Sequence, residues 1–165
     1  MYRTFLLLIS VTLLLAFSIA PGGAARAQTT PPKINVKLVL AGQRVQRGHA
    51  VSASLILEIP SGYHVNAHDP VSRFALPTKV EVEVPGGIKV GTITYPKATV
   101  RKFSFSGDRL GVYENRAVIR IIIKVPPNQP RGNAEIKARL NYQSCSDEVC
   151  FPPMKREVTA SFTIS

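Results

Sequence analysis

Five stretches of this chain alternate apolar and polar positions with a period of two, and that pattern constrains the fold more than any other feature. Val51, Ala53, Leu55, Leu57 and Ile59 alternate with Ser52, Ser54, Ile56 and Glu58. Val80, Val82 and Val84 are set against Lys79, Glu81 and Glu83. The same rule orders Ala117 to Val125, Ile136 to Tyr142 and Val158 to Ile164. Successive side chains of a strand point to opposite faces, so this period gives one face to a core and one to water, as in antiparallel sheets. Pro60-Ser61-Gly62, Pro85-Gly86-Gly87, Ser106-Gly107-Asp108 and the segment Pro126 to Gly132 separate the runs as turns, with Gly86-Gly87 read as a hairpin turn. No window of a dozen residues joins helical spacing to a cap. With 165 residues, the chain has the length of one ordinary domain and excludes a multi-domain enzyme. Seven to nine short strands at that length predict an all-β, immunoglobulin-like antiparallel β-sandwich. There is no Trp, so the Cys…Trp…Cys core of antibody domains is excluded.

The first residues are of another kind. Arg3 is followed by an uncharged apolar run from Phe5 to Ala20, then Pro21-Gly22-Gly23 and the small-x-small triplet Ala25-Arg26-Ala27. The run is shorter than the roughly 20 residues a membrane span needs. Residues 1–27 therefore read as a secretory signal peptide, leaving residues 28–165 as the exported domain, periplasmic or secreted. No Cys follows the cleavage point, so a lipoprotein is not expected. The chain carries 21 Lys+Arg against 10 Asp+Glu. A place outside the cytoplasm argues against nucleic acid as the partner for that excess, which fits solvation, or a weak attraction to anionic headgroups or acidic protein surfaces.

The chemistry centres on Cys145 and Cys150, in the segment Cys145-Ser146-Asp147-Glu148-Val149-Cys150-Phe151-Pro152-Pro153. It falls between the last two alternating runs, at or near the tip of the hairpin joining them. A disulfide closing so short a loop stabilises by about 2 kcal/mol, against nearly 5 for a loop of about a hundred residues. A short loop also keeps each sulfur within reach of the other for exchange. The C-x4-C spacing is not the C-x-x-C of thioredoxin-like proteins, and no helix follows to lower a thiol pKa. Asp147 and Glu148 would disfavour a thiolate, whereas Lys155 and Arg156 would favour one. Spacing alone leaves a structural bond and a redox pair both open.

The segment Tyr142-Gln143-Ser144-Cys145 to Cys150-Phe151-Pro152-Pro153 closely resembles the signature of the N-terminal periplasmic domain of the thiol:disulfide interchange protein DsbD. Upstream, Ser61-Gly62-Tyr63-His64 resembles that family's Gly-Tyr turn. Phe103-Ser104-Phe105-Ser106-Gly107 resembles its aromatic cap loop, and Val112-Tyr113 begins the long strand that follows. The likeness covers most of residues 33–163. It implies an immunoglobulin-like fold and thiol–disulfide oxidoreductase activity, with no metal or organic cofactor. The implied electron donor is a membrane thiol reductase acting through a thioredoxin-like domain. Acceptors are periplasmic disulfide isomerases or related thiol proteins, cytochrome maturation being one process served.

By position, the resemblance makes Cys150 the thiol that forms mixed disulfides and Cys145 its resolving partner. Phe105 would cover the pair, with Phe103, Gly107, Tyr63 and Tyr142 as surroundings. Two departures stand out. The family's cap loop carries acidic residues where this chain has Phe103 and Ser104, which removes any acid–base help from them. The chain closes at Ser165 without the membrane and thioredoxin domains, implying a freestanding module with a separate donor.

Residue type alone gives plainer readings for the surroundings. Phe103 and Phe105 point the same way on a strand, and Phe is usually buried, so core packing explains them without any site. Tyr63 fits either a place beside the cysteines or a buried hydrogen bond. His64, His68, Met154 and the thiols lack the tight spacing of a copper or zinc site, and none is expected. The alternative function is a non-catalytic, secreted immunoglobulin-like interaction domain whose short disulfide pins a hairpin.

Overall fold

The structure, a computed structural model, describes residues 30–165. The signal peptide read at residues 1–27 lies outside the described residues. Among them there are twelve strands and no helix.

Two four-stranded sheets form the body. The first holds β1 (Asn35–Leu40), β3 (Ala50–Glu58), β9 (Arg116–Lys124) and β6 (Lys89–Thr94), in that order. In the second, β2 (Arg44–Val45), β12 (Met154–Ile164), β10 (Gly132–Tyr142) and β5 (Lys79–Glu83) lie side by side. The period-two residues meet between them. Leu55 faces Ile119 and Ala53 faces Ile121 across β3 and β9, and all four are fully buried in one core with Ile136, Ala138 and Leu140 of β10. Each large side chain buried this way contributes about 1.5–3 kcal/mol. The all-β immunoglobulin-like sandwich expected from the periodicity is therefore what forms. All pairings are antiparallel except one short parallel contact, Thr163 with Arg44 and Ile164 with Val45.

A third sheet closes one end of the sandwich: β11 (Ser144–Cys145), β4 (His64–Asn66), β8 (Arg109–Glu114) and β7 (Thr99–Lys102), in that order. It is built from strands that leave the two main sheets. The β3–β9 ladder ends at Glu58 opposite Arg116, and the β4–β8 ladder resumes at His64 opposite Glu114. Between them Asn115 adopts φ 56°, the left-handed region that Asn tolerates. Its carbonyl accepts from the Ile59 amide at 2.7 Å. The second main sheet contributes in the same way, since β10 runs through Gln143 into β11.

Several local expectations change as a result. The strand beginning at Val112-Tyr113 is not one long strand: Asn115 splits it into β8 and β9, in different sheets. Gly86-Gly87 is a turn, but it joins β5 to β6 in the opposite sheet and makes no hairpin. Phe103 and Phe105 are not on a strand; they sit in the turn between β7 and β8.

Candidate functional site

The connection between β10 and β12 folds back on itself before it returns. Phe151 donates its amide to the Ser144 carbonyl at 2.9 Å, and Ser146 donates to Val149 at 2.8 Å. The Ser146 hydroxyl oxygen accepts from the amides of Glu148 and Val149 at 3.2 and 3.1 Å. A side chain that bonds its own turn in this way is the local reason Ser146 to Val149 forms a tight reversal. Cys145 and Cys150 face each other across it as an isolated antiparallel bridge. They form a disulfide with S–S 2.04 Å and Cα atoms 3.9 Å apart.

The two sulfurs live in unequal surroundings. Cys145 is 0% exposed because β11 is laid against β4, with Cys145 opposite His64. Cys150 is only half-buried and lines an open groove of about 440 Å³. Phe105, Gly107, Asp108 and Leu110 form one wall of that groove, and Ser72, Phe74 and Ala75 form another. Phe74 is 76% exposed, an unusual position for a large aromatic, and the Arg73 guanidinium lies 4.8 Å from its ring centre.

The loop from Phe103 to Asp108 caps this end. The His64 and Phe103 rings stack with centroids 4.0 Å apart, and Phe103 and Phe105 stack at 5.4 Å. Phe103 is buried with Leu110 and Val112 in a small second core, against which Phe105 packs half-buried. The Ser104 hydroxyl donates to the Asp147 carbonyl at 2.8 Å, which ties the cap directly to the cysteine turn. At the far end, Ser72 donates to the Asp108 carboxylate at 2.8 Å.

The other expected site residues are distributed as follows. Gly107 lines the groove, and a Cβ there would meet nothing within 4 Å, so the position makes no steric demand for glycine. Tyr63 is half-buried against Phe151, ring centres 6.1 Å apart, and borders a second groove rather than the first. Tyr142 is buried in the main core, where burial raises its phenol above the ordinary range. His64 and His68 do not converge: His68 stacks on Tyr95 at 3.7 Å and donates to the Thr78 carbonyl at 3.0 Å. Among the described residues, no three His, Cys, Asp or Glu side chains gather as a metal site.

Sequence reasoning gave no part at the cysteines to three residues that touch their turn or its cap. Gln143 holds the turn, donating to the Phe151 carbonyl at 3.0 Å and accepting from Asn66 at 3.2 Å. Ser104 supplies the link to Asp147. His64, which the sequence offers as a member of the Gly-Tyr turn segment and as a candidate metal ligand, lies under the cap beside Cys145. Its ring is 1% exposed, and burial holds its pKa below the usual 6.5. The one available signal was a run of polar residues at His64 and Asn66 where a strand without a wet face would not normally place them.

The family model for the N-terminal part of thiol:disulfide interchange protein DsbD matches residues 35–161. The Neisseria meningitidis DsbD N-terminal domain in its reduced form is 17% identical, with 78% of this chain and 88% of that one covered and a TM-score of 0.47. The complex of the DsbD and PilB N-terminal domains from the same organism gives 18% identity, 82% and 87% coverage, and 0.49. The N-terminal periplasmic domain of ScsB from Proteus mirabilis is 13% identical at a TM-score of 0.51, over 74% of this chain and 43% of that one; this likeness bears on the fold. No curated protein matches the chain.

Proposed function

The chain belongs to the family of DsbD N-terminal domains, and on that premise we propose how its cysteines divide the work of exchange. A domain of this family with a disulfide-forming cysteine pair carries out thiol:disulfide interchange. In the proposed cycle, the reduced pair meets a partner disulfide. The Cys150 thiolate attacks one partner sulfur, the partner S–S bond breaks, and a mixed disulfide forms. Cys145 then loses its proton and attacks the Cys150 sulfur. The partner leaves as a dithiol, two electrons richer, and the Cys145–Cys150 bond is closed. A donor dithiol reverses the steps and restores the reduced pair.

One observation carries this assignment: Cys150 opens onto the groove while Cys145 is wholly enclosed. Only an accessible sulfur can be joined to another protein, and a buried neighbour is placed to attack the resulting bond from inside. A partner bonded to Cys150 must lay the residues flanking its own cysteine into the groove, against Phe74, Ala75 and Phe105. Phe105 then acts as a lid that has to move. A lid makes physical sense for an exported dithiol, which is otherwise oxidised without useful transfer.

The donor in this reading is a membrane thiol reductase or thioredoxin-like protein. The acceptor is a periplasmic disulfide isomerase or another thiol protein. The domain comprises residues 28–165, freed from the leader at residues 1–27, and works in the periplasm, the compartment of the related ScsB domain.

The test is to trap the intermediate. Cys145→Ala is expected to accumulate a covalent, reductant-sensitive adduct with a C-x-x-C protein in periplasmic extract, whereas Cys150→Ala forms none. Adducts through Cys145 instead, or none with either variant, would overturn the assignment.

A further inference from the structure

We propose that His64 is the proton acceptor for Cys145 in the step that resolves the mixed disulfide. The inference rests on the exchange function and adds a residue to it.

Three observations place His64 in that role. In the β4–β11 ladder His64 stands directly opposite Cys145. Directly opposed residues share a face, with Cβ atoms about 4.5–5.5 Å apart, which puts an imidazole within reach of the facing sulfur. Secondly, the His64 Nε2 atom is buried and has no hydrogen-bond partner among the described residues. A buried polar atom left in that state costs about 1–3 kcal/mol, so its partner is to be sought in another state of the site. In the disulfide, Cys145 has no proton to offer; once reduced, it presents an S–H beside an unoccupied ring nitrogen. Thirdly, stacking on Phe103 fixes the ring, with centroids 4.0 Å apart and planes 17° from parallel.

The charges around His64 suit a base that picks up a proton briefly. Burial keeps the ring neutral near pH 7, the form that accepts. Asp147 of the cysteine turn and Glu114 of β8 act in the opposite sense and favour the imidazolium, while Arg101 of β7 disfavours it. Arg101 is engaged by Glu114 at 2.8 and 3.0 Å, which largely cancels those two. Asp147 forms no ion pair among the described residues and is left to stabilise the imidazolium. His64, Asp147, Tyr63, Arg101 and Glu114 border a second, polar groove of about 290 Å³. It shares no lining residue with the groove that receives the partner and gives the proton its own way to solvent.

The step balances as follows. The Cys145 S–H proton passes to Nε2, and the Cys145 sulfur bonds to the Cys150 sulfur. The bond from Cys150 to the partner breaks, and the partner sulfur leaves with the electron pair. His64 then releases its proton to water. In the reverse direction the imidazolium reprotonates Cys145 as the pair is reduced. Phe103 and Ser104 of the cap carry no acid–base group of their own, and His64 supplies a proton-transfer group from the strand beneath them.

The experiment uses the full domain, reduced and mixed with dithiobis(nitrobenzoate), whose two coloured thiolates leave one at a time. The first release reports attack by Cys150 and the second reports resolution by Cys145, as its loss in Cys145→Ala verifies. For the native protein, the second rate should stay level from pH 8 down to below 6.5 and fall only as His64 protonates. In His64→Gln it should drop on the order of tenfold at pH 7, where an unassisted thiol of pKa about 8.5 is mostly protonated, and then climb about tenfold per pH unit. His64→Phe, which keeps the stack but has no nitrogen, should give the same profile with the first release unchanged. If both variants retain the native second-phase profile, or slow it equally at every pH, His64 is not the acceptor. If the native protein shows no second release at all, the exchange function itself fails.

Discussion

Phe103 and Phe105 are two positions apart and do different things. Phe103 is buried beneath the cap with Leu110 and Val112, so removing its ring should cost about 3–5 kcal/mol, as for any core aromatic. Phe105 is half-buried, borders the groove beside Cys150, and rests on its neighbour. Phe105→Ala is therefore expected to leave the fold intact and to speed iodoacetamide alkylation of the reduced pair several-fold. An unchanged alkylation rate would return Phe105 to simple packing. At this scale the sequence was legible where chemistry is concentrated in neighbours: the cysteines and their Phe-Pro-Pro flank announce themselves. His64 was not legible, because its relation to Cys145 is made by a strand pairing across some eighty residues. Its neighbours in the sequence set it beside a Gly-Tyr turn and not beside the cysteines, whereas His68 stacks on Tyr95 and donates to the Thr78 carbonyl.

Among the elements, the strands with one wet face were readable and the third sheet was not. In β3 and β9 burial alternates residue by residue, the signature that the sequence carries. By contrast β7 is exposed at all four positions and β4 is buried at all three, so neither has a period to read. The bends that create this sheet rest on single residues such as Asn115, whose positive φ is not visible as a pattern. Gly111 of β8 is a demanding position of this kind. A Cβ there would stand 2.6 Å from the Asp69 carbonyl oxygen, because the loop after β4 lies directly on the strand. The loop is pinned by the Gly111 amide donating to Pro70 at 2.8 Å and by the Ala67 amide donating to Gly111 at 2.9 Å. Gly111→Ala should lower stability by about 1–3 kcal/mol, read as an earlier urea midpoint. It should also disturb the groove wall carrying Phe74 and Ala75. A native midpoint would show that the loop does not need this close approach.

For the molecule as a whole, the sandwich works as a rigid mount and the third sheet as the working end. Strands from both main sheets lead into it, and the cysteine turn, the cap and the loop bearing Phe74 all meet at the groove there. The disulfide ties no sheet to another; it spans five positions within one turn. A bond so local adds little to global stability, and the core of Leu55, Ile119, Leu140 and their neighbours holds the fold without it. The pair is thus free to open and close while the domain stays folded. The reduction potential of Cys145–Cys150, measured by equilibration with glutathione buffers, tests this most directly. Exchange predicts a value in the carrier range, from about −270 to about −180 mV; a value below about −300 mV would mark an inert structural bond and contradict the account.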